Sequence, residues 1–398
     1  MAELFQPDRT FRFRKYILAS NTLLAACRGG RAPSRLVSVE QLLAEHAEGS
    51  RRVDVAPAQR LEALRFDYHG PDPAYGGGLL PEVTLPPTYV LAIENGRAFG
   101  REGTVHVPAI DASVAEFEWP PRDLSGFRNH LPGRAVHPRY WKQVVLREWR
   151  MRFLPALRRC PGRVALLNGF SPHNFFHWTT EILPRLQTLR QSGEQADWYL
   201  IDCHASYQRQ ALAALGVPLD RTIQPHATLH VEADVLLVPS IRPDQAVRAT
   251  ADALAAGLGV SETRAGTRVF IDRRHSRKVA NADAFASWWR NNGFERHYLE
   301  DLSLQRQIEL VKHADIVLGT HGAGLAHIVH CRPGTLVVEL MPEGIARACY
   351  PRLSRLAGLR HVMLSMPRSG LHHDFAVSVD ALDQAIATAN RGATPVAR

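Results

Sequence analysis

From about Arg163 onward, apolar runs of strand length alternate with amphipathic stretches of helix length, and this alternation limits the possible folds more than any other feature. The runs are VALLNGF (164–170), WYLID (198–202), DVLLVPS (234–240), RVFIDR (268–273), RHYLED (296–301), DIVLGT (315–320), TLVVEL (335–340) and HVMLSM (361–366). Helical candidates lie between them at 175–190, 205–215, 244–257, 281–292, 303–313, 322–331 and 346–357, with a last one from Val379 to Asn390. Short apolar strands, each followed by a helix, predict a parallel sheet covered on both faces. So many strands exceed one small nucleotide-binding sheet, and AAGLGVSETRAGT (255–267) has the composition of a linker. The expected fold is α/β: two doubly wound, Rossmann-like lobes joined near residue 260. In such sheets ligands sit beyond the carboxyl ends of the strands, so the residues just after each strand matter most.

Residues 1–155 read differently. Pro and Gly crowd HGPDPAYGGGLLPEVTLPP and the stretch from Phe117 to Pro138, which marks turns and short strands. YVLAI and TVHVPAI are β-branched runs, and Leu36 to Ala47 could form one amphipathic helix. The expected division is an irregular α+β region over 1–155, a first lobe over 156–258, and a second lobe with a C-terminal helix over 259–398. A length of 398 residues is ample for two domains.

Composition matters mainly for what it excludes. With 45% hydrophobic and 22% charged residues, disordered and fibrous classes fall away. The net charge of +9 favours anionic partners: nucleotide phosphates, acidic polysaccharides, anionic lipid headgroups or nucleic acids. A merely solvated basic surface is the alternative. Cys27, Cys160, Cys203, Cys331 and Cys349 form no CxxC pair, which argues against a disulfide framework or structural zinc. Charges interrupt every apolar stretch of the first twenty residues, and no segment reaches membrane-spanning length. A cytoplasmic location is expected, or one resting on the cytoplasmic face of an anionic membrane.

Four places could carry chemistry. GTHGAGLAH (319–327) follows a strand and opens a helix; Gly322, Ala323 and Gly324 let backbone amides approach an anion, and His321 could hydrogen-bond a phosphate. A tight turn that needs glycine for steric reasons is the alternative. DRRHSRKVANAD (272–283) places Arg273, Arg274, Arg277 and Lys278 at another strand's carboxyl end, where guanidinium groups suit phosphate. Glu339, ending TLVVEL, could accept hydrogen bonds from ribose hydroxyls. In NGFSPHNFFHWTTEILPRL (168–186), His177 and Glu181 are spaced i, i+4 and could form a general base with its orienting carboxylate. His173 and His177 share the same spacing, but the third ligand of a metal site is missing, so no metal is expected. Aromatic packing by Phe175, Phe176 and Trp178 is the plainer reading of that stretch.

In order, HNFFHWTTEILPRL, FIDRRHSRKVAN, the Gln in SLQRQIEL, DIVLGTHGAGLAH and PGTLVVEL resemble glycosyltransferase family 61, including its bacterial members of the capsular polysaccharide biosynthesis type. The resemblance covers roughly residues 160 to 345. It implies a GT-B architecture, inverting chemistry, and a nucleotide-sugar co-substrate held mostly by the second lobe. Arg273 and Arg277 would be donor-phosphate arginines, and His321 with Gly322 to Gly324 the diphosphate loop. Glu339 would be the ribose carboxylate, and His177 or Glu181 the acceptor-side base. The acceptor would be a glycan or lipid-linked saccharide. Asp272, Ala282 and His327 depart from the family pattern, where Ser, Glu and Asn are usual. An inverting transfer can stabilise its leaving group with arginines and helix amides in place of a divalent metal, and no DxD-type motif stands in a suitable loop. Rival readings are a nucleotide-sugar epimerase on the same fold, a non-catalytic basic scaffold, and a nucleic-acid-binding protein. Against the last, the aromatics cluster in segments such as ASWWRNN instead of an exposed basic stripe.

Overall fold

A computed structural model describes residues 33, 35–70, 78–118, 154–240, 244–261, 266–344, 347–369 and 373–391. Cys27, the charged N-terminal stretch, most of the Pro/Gly-rich segments and the middle of the expected linker lie outside the described residues. The fold is mixed α/β, built on two large sheets. In the first, strands β1 (Arg158–Leu166), β2 (Trp198–Leu200), β3 (Thr222–Ile223) and β4 (His230–Pro239) are parallel in the order β4-β1-β2-β3. Arg97–Phe99 and Thr88–Glu94 then pair antiparallel with the two halves of β4. Further strands from residues 35–114 extend that side, so this N-terminal stretch shares its sheet with β1–β4. Leu36 to Ala47, expected as one helix, is a strand (Arg35–Val37) and a helix (Val39–Glu45) divided at Ser38. Ser38 caps the helix with Gln41 in a reciprocal box, and that local bond sets the start.

The second sheet is parallel, in the order β6-β5-β7-β8-β9, where β5 is Thr267–Ile271, β6 Phe294–His297, β7 Ala314–Thr320, β8 Leu336–Pro342 and β9 Arg360–Met366. Asp67–His69 adds a sixth strand beside β9. By chain order this is 2-1-3-4-5, whose topological switch point falls between β5 and β7. Val269, Val317 and Val337 face one buried cluster, Phe270, Leu318 and Val338 another, which is why these strands read as continuously apolar.

Helices α1 (Pro184–Gln191), α2 (Ser206–Ala214) and α3 (Asp244–Gly257) serve the first sheet; α4 (Ala282–Asn291), α5 (Leu304–Lys312), α6 (Cys349–Ala357) and α7 (Val379–Arg391) serve the second. The expected linker overlaps the last turn of α3. That helix packs against α1 on one side and against Ala323–His330 and α6 on the other, so it joins the two halves. Arg248 of α3 donates to the carbonyls of Val329 and Cys331, at 3.3 and 2.8 Å.

Three expected elements differ in form. The RHYLED strand begins two residues earlier, at Phe294, because Gly293 turns the chain at φ 72° and Phe294 packs on Trp288; its second half is a 3-10 turn, Leu299–Asp301. The segment after His321 is a 3-10 helix, Ala323–His330. The helix expected at 175–190 is broken into a turn (Phe175–His177), a π-turn (Trp178–Ile182) and α1. Pro184 has no N–H and its ring would collide with the carbonyl four residues back; widening to a Leu183 N–H···O=C Trp178 bond at 2.8 Å accommodates it.

Candidate active site

The loops leaving β5 and β7 diverge at the switch point and leave a cleft of about 140 Å³, lined in part by Asp272, Arg273, Thr320 and Gly324. Ligand pockets of drug size run to roughly 300–1,000 Å³, so a nucleotide here would be only partly enclosed. Arg273 lies across the turn after β7. A Cβ built on Gly322 would come 1.6 Å from its Nη1, so the glycine is what lets the guanidinium reach that backbone. Arg273 Nε donates to the Ser276 carbonyl at 2.9 Å, and Nη2 reaches Ser276 Oγ at 3.3 Å. Arg277, held in the left-handed region at φ 56°, is near enough that the charge of Arg273 disfavours its own. Burial pushes both guanidinium groups below their ordinary range. Among the described residues neither has a carboxylate partner within ion-pair distance. Two partly dehydrated cations without an ion-pair partner, with the Glu300 carboxylate of the cleft lining favouring the Arg273 charge only from a distance, make a site that an anion would relieve.

The other two basic residues of this loop are already engaged. Arg274 forks onto Asp301, with Nη1 at 2.6 Å from Oδ1, and lies 4.2 Å above the Tyr298 ring. Lys278 leans toward Asp374 (3.9 Å), which also accepts its backbone N–H. Lys278, expected among the phosphate ligands, therefore points to Asp374. The departure at Asp272 also has a role: its Oδ1 caps the Arg273 N–H at 2.7 Å and its Oδ2 accepts from Tyr298.

A first prediction concerns the glycine. In Gly322→Ala the new methyl must displace Arg273, whose far end is flexible, so folding should survive while the guanidinium leaves the turn. Pyrophosphate affinity should fall about tenfold, the worth of one charge-assisted hydrogen bond, with little change in melting temperature. Calorimetric titration beside a thermal melt reads both. A melting loss without an affinity loss would leave Gly322 a packing residue.

His321 stands at the head of the same turn, nearly buried, with its N–H bonded to the Leu340 carbonyl at 2.9 Å. Its Nδ1 meets Glu339 Oε1 in a short contact. The other carboxylate oxygen receives His361 Nε2 at 3.1 Å. Glu339 has no exposed surface at all, so the expectation that it meets ribose hydroxyls is corrected: it lies beneath His321 with both oxygens taken. Burial alone would raise the Glu339 carboxyl, but the bonds and charges of the two histidines hold it below its ordinary value, so it is a carboxylate at neutral pH. His327 does not face the turn. It is buried, with Nε2 on Gln307 at 2.7 Å, and burial lowers it to about 3, so it is a neutral core group.

On the opposite side, His177 Nδ1 is 2.9 Å from Glu181 Oε2, as their spacing required. The pair is partly open, with His177 24% and Glu181 43% exposed. Phe170 meets the imidazole edge-on at 4.8 Å. The π-turn holding Glu181 is tied down where Thr179 and Thr180 donate to the Phe175 and Phe176 carbonyls, each at 2.7 Å. The aromatic reading of this stretch also holds: Trp178 is fully buried and donates to the Asp202 carbonyl. Two rings bridge the halves. Phe175 packs on His327 (4.7 Å between centroids) and Phe176 on Tyr350 (5.7 Å), which in turn lies 5.2 Å from His321. Phe176 also meets His177 edge-on at 5.3 Å, so a run of ring contacts links His177 to His321. His173 is exposed, and among the described residues no group of three His, Cys, Asp or Glu side chains is arranged to hold a metal ion.

Sequence reading missed three residues. Tyr350 donates its hydroxyl to the Gly322 carbonyl, in a short contact that pins the turn. Thr320 is buried beside the cleft with Oγ1 unpartnered. His361 backs Glu339. The one available signal was a histidine opening an otherwise apolar strand.

Over 108 residues the chain is 27% identical to the β-1,2-xylosyltransferase RCN11 of Oryza sativa subsp. japonica, an overlap of 24% of this chain and 20% of that protein. Over 71 residues it is 28% identical to the β-1,2-xylosyltransferase of Arabidopsis thaliana, an overlap of 18% of this chain and 13% of that protein. The chain thus spans a fifth or less of the length of these curated relatives. The residues around the cleft match more broadly: 175–338, which contain His177, Glu181, both arginines and the Gly322–Gly324 turn and stop one residue short of Glu339, are similar to the family described as Glycosyltransferase 61.

Proposed function

We propose that this chain is an inverting, metal-independent glycosyltransferase of the two-lobed GT-B type, with residues 156–258 on the acceptor side and 259–398 on the donor side. The observation that carries the proposal is the pair of unpaired arginines, Arg273 and Arg277, at the switch point of a parallel sheet inside the matched domain. A nucleoside diphosphate is the leaving group whose charge such a pair suits. Arg273 and Arg277 meet its phosphates, the backbone of Gly322, Ala323 and Gly324 provides close approach, and His321 presents its remaining ring nitrogen. His177, oriented by Glu181, takes the proton of the acceptor hydroxyl as it attacks the anomeric carbon opposite the departing diphosphate. Attack from that side inverts the anomeric centre.

The relatives' name favours a pentosyl donor within this reading. The acceptor is a glycan or lipid-linked saccharide of surface polysaccharide synthesis, met in the cytoplasm at the inner face of an anionic membrane. Among the described residues no helix is long and apolar enough to cross a membrane.

The test is a melting panel with UDP, GDP, CMP and ADP in EDTA. A ligand at a hundred times its dissociation constant stabilises by about 2.7 kcal/mol. One diphosphate should raise the melting temperature with the chelator present, and that nucleotide should be released from its sugar conjugate only when a saccharide acceptor is added. No shift with any nucleotide at about 1 mM, some hundredfold above the affinity expected of such a site, would sink the proposal.

A further inference from the structure

Behind His321 runs a chain of polar groups that the transfer chemistry does not itself require. Glu339, on β8, is bonded by His321 on one side and by His361, at the start of β9, on the other. His361 Nδ1 then lies 2.9 Å from Ser354 Oγ on α6. Glu339 and Ser354 have no exposed surface and the His361 side chain none, so water cannot replace any bond in the chain. Phe66, from the N-terminal stretch, closes the far side with its ring edge-on to His361 at 6.0 Å. The carboxylate is ionised, so each ring nitrogen facing it carries a hydrogen. His321 is then fixed as the Nδ1–H form at that face, and Nε2 is the one ring nitrogen left to meet a ligand. Tyr350 of α6 holds the neighbouring Gly322 carbonyl, so the same helix sets both the ring and the turn.

We infer that His361 and Ser354 are positioning residues: acting through Glu339, they hold the His321 ring in one orientation and one hydrogen-bonding form, with Nε2 presented to the anion at the Gly322–Gly324 turn. A buried carboxylate bonded to one histidine alone could rotate or exchange that partner; the second histidine, itself held by a serine, takes the other oxygen and removes this freedom. This inference rests on the anion-site reading above, but its primary readout needs no anion.

The test compares wild type with His361→Leu, His361→Gln and Ser354→Ala, using histidine-ring nitrogen NMR on the free proteins and calorimetric titration with pyrophosphate. The wild-type His321 ring should show a single form with Nδ1–H. In His361→Leu it should lose that single form, and pyrophosphate affinity should drop about tenfold. His361→Gln can place an amide N–H where Nε2 stood, and should restore both readouts to within about threefold, as a hydrogen bond kept but less well oriented would. Ser354→Ala, a smaller change that keeps the histidine, should broaden the His321 ring signals and decides the matter if His361→Leu does not fold. An unchanged His321 ring spectrum in these variants would overturn the inference even where pyrophosphate binds. Failure of wild type to bind any diphosphate while the ring spectrum responds as expected would overturn the anion-site reading and leave the positioning intact.

Discussion

Replacing Arg273 with alanine should lower kcat/KM by about a hundred- to a thousandfold, the usual cost of losing one preorganised donor to a developing anion. The same change should leave the unliganded protein as stable as wild type. Its side chain contributes bonds only to Ser276, and its charge disfavours that of Arg277 nearby. Deleting it removes a repulsion along with those bonds. A residue whose loss abolishes binding without harming folding is held for function at some cost in stability. Arg273→Lys should recover little, because a point charge cannot bond Ser276 and a phosphate in two fixed directions at once. Steady-state kinetics paired with thermal melts, with and without pyrophosphate, separate these effects. If Arg273→Ala keeps a wild-type ligand-induced shift, the anion binds elsewhere.

The second large effect belongs to Arg185, and it should act on stability. This side chain is fully buried at the carboxyl ends of β1 and β4, the switch point of the first sheet. It donates to the Pro239 carbonyl from Nε and Nη2 (3.1 and 2.6 Å), to the Leu167 carbonyl at 3.2 Å, and to the Asn168 carbonyl in a short contact. Burial pushes the guanidinium down to about 9, so it remains charged at neutral pH with carbonyls as its partners. The position that could hold a ligand in the first sheet is thus filled from within the chain. Arg185→Met should destabilise by about 3–5 kcal/mol, because three buried carbonyls lose their donor at once. For a protein of this size that is a drop of roughly 5 °C in melting temperature. A melt unchanged within about a degree, well below that expectation, would mean that water enters and satisfies those carbonyls. One diphosphate per chain follows from the same geometry, and titration stoichiometry measures it.

The contrast between these two arginines shows what a sequence can and cannot announce. Both follow apolar runs, and only Arg273, in a dense basic loop, reads as a candidate ligand residue. Arg185 sits in ILPRL, where nothing nearby announces three carbonyls from residues 17 to 54 positions away. The His177–Glu181 pair was legible because i, i+4 contact is a property of one helical turn, although the π-turn that Pro184 imposes there was not read. Glu339 was expected at a strand end beside a ribose, but β8 runs on to Pro342, so it lies inside the strand with two histidines as neighbours. Its partners come from the turn after β7 and from β9, and a strand's own residues do not reveal what lies beside it.

The sequence by itself determined the order of strands and helices in the second half of the chain, because apolar periodicity and breakers act over a few residues. It also determined which loops are basic and which turn needs glycine. The tertiary structure alone decided that residues 35–114 join the first sheet, since edge pairing depends on which strand is left open. It decided that Gly322 exists to admit Arg273, that Lys278 and Arg274 are taken by carboxylates, and that Glu339 lies under His321. Those outcomes depend on burial and on partners far away in the chain, which set whether a charged side chain is paired, dehydrated or free to meet a ligand.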